Sequence, residues 1–191
     1  WLPSFMNRAY GLPPDQAGLK AGLGVLAGGV GAVLWSTVTD RLAVRHRRAR
    51  LYVPACVAVL TTILLSPALA FLAPGSGQFA LLLAGGLVMA GTIGPVAAVV
   101  VDVTHPGLRA TATAVLSLTQ NLIGLAGGPL LTGVLSDRYG LQAAMAIAPL
   151  FCLLAAVMFV LAARWYEADL LRATSHRSTE APASVLQPQR A

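Results

Sequence analysis

The residues best suited to chemistry in this chain are charged and clustered. Asp40 and Arg41 lie in STVTDRLAVRHRRAR, Ser36 to Arg50, which holds five arginines, one histidine and one aspartate. A second acid, Asp102, and then Arg109 follow a long stretch without charge. Acids and arginines at the ends of apolar segments can form ion pairs that tie one segment to the next. Asp40 could accept from the exposed backbone N–H groups of a helix starting at His105 to Arg109, and Arg41 could pair with Asp102, with Arg45 and Arg109 joining them. Such a network would latch helix ends together in one conformation. Equally open is that these are solvated boundary charges that only set orientation in a membrane.

A second set of residues is polar but uncharged. Thr113, Ser117, Gln120, Asn121 and Gly124 fall at spacings of three and four, on one side of a helix, and Thr92 stands near Pro95 on another. Amides in the middle of an apolar helix face a cavity or a partner helix. They are candidates for contact with a solute, and interhelical hydrogen bonding is the alternative. No enzyme site accompanies them. The chain has no phosphate-binding glycine loop, no His-Glu metal motif and no cysteine pair at metal spacing, and its histidines are only His46, His105 and His176. No catalysis, cofactor or metal is therefore expected.

The elements that must position these residues are membrane helices. Of the 191 residues, 57% are hydrophobic and only 10% charged, against roughly 25% charged in a soluble domain. The net charge of +6 could suggest an acidic polymer as partner. The basic residues, however, are gathered into a few short segments and do not spread over a face, so nucleic acid is not expected. Leu51 to Val101 contains no charged residue at all, long enough for two crossings of roughly 20 residues each, with PGSGQ at Pro74 to Gln78 as the break. Five spans are predicted, at about 16–40, 51–73, 78–102, 108–137 and 141–165, within a half-bundle over 16–167. Cys56 and Cys152 fall inside spans, where a small apolar role is the default.

Residues 1–15 read as the end of a preceding transmembrane helix and an external loop, and 168–191 as a disordered cytoplasmic tail. The chain opens on Trp1 without a signal peptide and reads as a fragment of a longer protein. Lys and Arg divide ten against three between the two sides, which places the arginine-rich segment and the C-terminus in the cytoplasm.

Two spans carry small residues at every fourth position, Gly24, Gly28, Ala32 and Ser36 ahead of Asp40, and Gly86, Ala90, Gly94 and Ala98 ahead of Asp102. Such ridges let neighbouring backbones approach closely. The second and fifth spans, poor in polar groups at depth, are expected at a lipid-facing periphery. There is also an internal echo. GAVLWSTVTDR at Gly31 to Arg41 is matched by GPLLTGVLSDR at Gly128 to Arg138, which by this topology end on opposite sides, as in an inverted repeat.

These residues resemble the C-terminal half of a major facilitator superfamily transporter, over nearly all of residues 1–167. STVTDRLAVRHRR resembles the family's Gly-x-x-x-Asp-Arg-x-x-x-Arg motif, with Ser36 in place of the leading glycine. DVTHPGLRATATAV and NLIGLAGGPLLTGVLSDRYG resemble later segments of the same half. WLPSFMNRAYGLPPDQAG together with GPLLTGVLSD is most similar to the spinster-like branch, some of whose members carry lysolipids or sphingolipids. The resemblance implies an all-α polytopic helix bundle and a secondary active transporter working by alternating access, in a bacterial cytoplasmic (inner) membrane. It implies as partners membrane lipid, a small organic or lipid-like solute, a coupling proton and an N-terminal half-bundle. The charged cluster would then gate the cytoplasmic side. A membrane scaffold that carries nothing, with ridges for static packing alone, is the competing expectation.

Overall fold

The computed structural model describes residues 2–179, and they form helices with no strand among them. A short helix α1 (Leu2–Tyr10) precedes α2 (Pro14–Arg45), α3 (Ala49–Phe71), α4 (Ser76–Val103), α5 (Pro106–Tyr139) and α6 (141–179). Helices α2 to α6 correspond to the five expected spans, and each is long and apolar enough to cross a membrane. The chain is an all-α membrane bundle. Arg50 at the start of α3 meets Asp102 at the end of α4, and Gln142 at the start of α6 donates to the Leu69 carbonyl near the end of α3. Successive spans therefore run in opposite directions, with one arginine-rich end and one opposite end.

Two boundaries differ from expectation. Helix α2 does not stop at Asp40 but continues to Arg45, because no glycine or proline intervenes and Leu42, Ala43 and the arginines favour helix. Asp40 therefore sits within a regular turn. Helix α6 likewise runs past residue 165 to Thr179, so residues 168–179 are helix and not disordered tail. Ala168, Leu170, Leu171 and Ala173 favour helix, and Asp169 and Arg172 pair at 3.4 Å across one turn. The rest of the expected tail, 180–191, lies outside the described residues.

Prolines mark most of the irregular turns. Proline lacks an N–H and its ring crowds the carbonyl four residues back. Pro95 follows a tight 3₁₀ turn at Ala90–Thr92, Pro129 follows a wide π turn at Gln120–Ala126, and Pro149 sits in a 3₁₀ turn at Ala148–Leu150. In each case the hydrogen-bond register shifts by one residue near the ring, while α3 accommodates Pro54 and Pro67 without a break. The carbonyl of Pro149 is bonded from outside its helix, by Thr62 Oγ1 at 2.8 Å.

Helix α3 corrects the expectation of a peripheral second span. It packs against α2, α4 and α6, and 50% of its membrane window is buried, against 0% for α5. Apolarity cannot separate a lipid-facing from a helix-facing surface in a bilayer, and the buried face of α3 mixes small residues, among them Ala55, Ala58, Thr61 and Thr62, with Leu51, Val57 and Leu69. Its outer face, with Tyr52, Val59 and Ile63, stays exposed.

The small-residue ridges do meet. A Cβ on Gly28 would lie 3.8 Å from the Gly86 carbonyl and 3.9 Å from Ala90 Cβ, and one on Gly94 would land on Ser36 Oγ. Gly94 thus makes room for the serine that replaces the motif's glycine. The tightest approach lies off the expected register, at Gly31, where a Cβ would overlap the Leu87 carbonyl, while Gly91 gives way to the Trp35 ring. At the opposite end, buried Gln78 donates from Nε2 to the Ala68 and Leu72 carbonyls at 3.0 Å each and accepts from Tyr10 O–H at 2.7 Å. It thereby satisfies carbonyls that the end of α3 leaves open.

Candidate functional site

The charged site is assembled where four helices meet at the arginine-rich side, two of them, α3 and α4, contributing their ends. Arg50, in the first turn of α3, donates from Nη1 to Asp102 Oδ2 on the last turn of α4, and its Nη2 stands 4.0 Å from Asp40 Oδ1 on α2. Tyr166 on α6 donates its O–H to the same Asp102 oxygen at 2.7 Å. The side chains of Arg50 and Asp102 are 28% and 25% exposed, whereas Asp40 is 66% exposed and forms the outer, looser member.

Each inner charge opposes the dipole of its own helix. A cation at a helix start and a carboxylate at a helix end are both disfavoured by roughly 0.3–1 kcal/mol, so their mutual contact offsets a local cost on both sides. A cavity of about 290 Å³ opens beside them, with Asp40, Arg47, Arg50, Asp102 and Tyr166 in its wall. A neighbouring pair, Arg48 Nη2 to Glu167 Oε2 at 2.6 Å, ties the α2–α3 turn to α6. The Glu167 carboxylate, through its hydrogen bond and then its charge, holds the Arg48 guanidinium above its ordinary range. The pair is open to water, so it positions more than it stabilises.

Of the expected network, Asp40 and Asp102 come together, but through Arg50. Arg41 does not pair with Asp102. Adjacent residues on a helix point about 100° apart, and with Asp40 turned toward Arg50, Arg41 is exposed and makes no ion pair among the described residues. Arg45 is also exposed and unpaired there. Arg109 has a buried Nε without a hydrogen-bond partner and does not join the cluster. Nor does Asp40 accept from the start of α5, where the Gly107 N–H is already taken by His105 Nδ1 at 3.3 Å.

Arg50, Tyr166, Arg48 and Glu167 are the members that sequence reasoning missed. Arg50 is one of five arginines in its segment, and only the turn at His46 to Arg48 sets which of them faces α4. The Trp165-Tyr166 pair did carry a signal, since such aromatics gather at membrane boundaries.

The uncharged set lies mainly on α5. Ser117, Gln120, Asn121 and Gly124 are exposed, and the last three belong to the wide π turn. Asn121 Nδ2 donates to the Ser117 carbonyl at 2.8 Å, Thr113 Oγ1 to the Arg109 and Ala110 carbonyls at 2.9 Å each, and Thr92 Oγ1 to the Met89 carbonyl at 3.3 Å. All these bonds stay within one helix. Helix α5 packs on α4 and α6 near its two ends, so its polar stripe is left bare by the described residues. The interhelical alternative is not realised among them.

No match to a curated protein is found. The model of a protein family described as Major Facilitator Superfamily matches residues 1–189, nearly the whole chain. With five membrane-length helices and a charged cluster joining four of them, the chain is an integral membrane protein that belongs to the Major Facilitator Superfamily, a family of membrane transporters.

Proposed function

We propose that this chain is the C-terminal half of a secondary active transporter that moves a small organic or lipid-like solute by alternating access, within the spinster-like branch. The observation that carries the reading is the unequal covering of the helices. Four of them are tied at the arginine-rich end through Arg50, Asp102, Tyr166 and Asp40, while α5 keeps an uncovered polar stripe with a widened turn at membrane depth. Exposed amides in a bilayer are costly unless water or a partner satisfies them. A second half-bundle facing α2 and α5 would enclose that stripe in a cavity. The charged cluster would then hold the arginine-rich ends together while the cavity opens on the other side, the cytoplasm lying at the arginine-rich end of a bacterial inner membrane. Gln120, Asn121, Ser117, Thr113 and Thr92 would touch the solute, and a coupling proton would be carried by acids of the other half.

The test is solute flux in proteoliposomes holding the full-length protein, with lysophospholipids and small organic solutes under imposed proton and sodium gradients. Uptake or efflux that falls at least tenfold in Asn121→Ala, with normal folding, supports the reading. Absence of flux for every solute would overturn it in favour of a packing scaffold, and flux indifferent to both Asn121→Ala and Gln120→Ala would overturn the assignment of the α5 stripe to the solute path.

A further inference from the structure

Two grooves flank α3 on its outer face, one shared with α2 and one with α6, and both are bounded by Cys56. The first has a volume of about 810 Å³ and the second about 670 Å³. Their floors are apolar, with Val53 and Tyr52 in one and Ile63 and Val157 in the other. Their rim is basic: Arg45, Arg47 and Arg48 on the first and Arg164 on the second, against the single acid Glu167. Glu167 is committed to Arg48, whereas Arg45, Arg47 and Arg164 form no ion pair with a described residue. From Ala49 to Ile63 the face runs about 20 Å at 1.5 Å per residue, which exceeds the roughly 15 Å depth of one leaflet's hydrocarbon.

We infer that this face holds one anionic glycerophospholipid, with its phosphate among the rim arginines and its two acyl chains along the two grooves on either side of Cys56. Charge complementarity selects the headgroup, since each arginine near a membrane surface favours anionic lipid roughly fivefold. The paired grooves select a two-chain lipid over a soluble phosphate. This site is separate from the α5 stripe and does not rest on the transport reading.

Native mass spectrometry of the full-length protein, released from nanodiscs containing phosphatidylglycerol or phosphatidylcholine of equal chain length, tests it. One phosphatidylglycerol is expected to stay bound under activation that strips phosphatidylcholine. Arg45→Gln with Arg47→Gln should weaken its retention roughly 30-fold, and Arg45→Lys with Arg47→Lys should keep most of it. Cys56→Trp, with every charge in place, should displace the lipid by filling the point where the grooves meet. Equal retention of the two lipids by the unaltered protein overturns the inference on its own. So does retention unchanged by Cys56→Trp, or competition by glycerol phosphate as strong as by the intact lipid.

Discussion

Asp102 accepts from two donors at once, a guanidinium and a phenol, and that makes it the residue on which the arginine-rich end turns. A charge-assisted hydrogen bond contributes more than a neutral one, and a half-shielded carboxylate left without its cation loses the bond and keeps the desolvation. Arg50→Ala should therefore destabilise the folded protein by about 2 kcal/mol. Arg41→Ala, on an exposed side chain without an ion pair, should stay within about 0.5 kcal/mol. Chemical unfolding in mild detergent orders the two. A larger loss for Arg41→Ala than for Arg50→Ala would mean that Arg41 carries the contact that the geometry gives to Arg50. The two aspartates were legible in the sequence because an acid beside an apolar span demands a partner. The partner itself was not. It depends on the angle at which α3 leaves a three-residue turn, and no local pattern in a run of five arginines encodes that angle.

At the scale of helices, α2 and α4 are held by backbone proximity more than by side-chain volume. Gly31 faces the Leu87 carbonyl with no room for a Cβ, and Gly29, two residues away, has nothing within 4 Å of where its Cβ would be. A matched pair of substitutions reads this contrast. Gly31→Leu should cost about 3 kcal/mol or more, since backbone must move, while Gly29→Leu should be close to neutral. Thermal unfolding of the purified variants decides, and a similar loss in both would show that α2 and α4 are not in this register. The spans were legible because uncharged length alone marks a crossing, and the every-fourth-residue pattern picked out Gly28, Ser36, Gly86 and Gly94, which lie between α2 and α4. It passed over Gly31 and Gly91. Those two sit where the helices cross most closely, and a crossing point is a property of two helices together. The central place of α3 was hidden for a related reason. Its buried alanines and its exposed Val59 and Ile63 are equally apolar, so hydropathy gives no sign of which face meets lipid.

Across the whole molecule, burial is lopsided. Helix α3 is enclosed on three sides, and α5 touches its neighbours only toward its ends, leaving both its polar stripe and Leu118, Leu122 and Leu125 exposed. A helix so placed has Asn121 bonded only within its own turn and Gln120 facing no described neighbour, and the widened turn at Gln120–Ala126 spaces its backbone bonds more loosely than a regular helix does. In a membrane the two stripes of α5 must therefore meet different surroundings: water or solute on the amide side, lipid or another apolar helix face on the leucine side. Single cysteines at Ser117, Asn121, Leu118 and Leu122, introduced into full-length protein whose Cys56 and Cys152 have been replaced by alanine, separate them. A membrane-impermeant thiol reagent should label the Ser117 and Asn121 positions at least tenfold faster than the Leu118 and Leu122 positions, and a transported solute should slow labelling at the first two alone. Labelling that is equal at all four positions would place the amide stripe against protein or lipid. The wide turn would then be a packing feature around Pro129 and not the wall of a water-filled path.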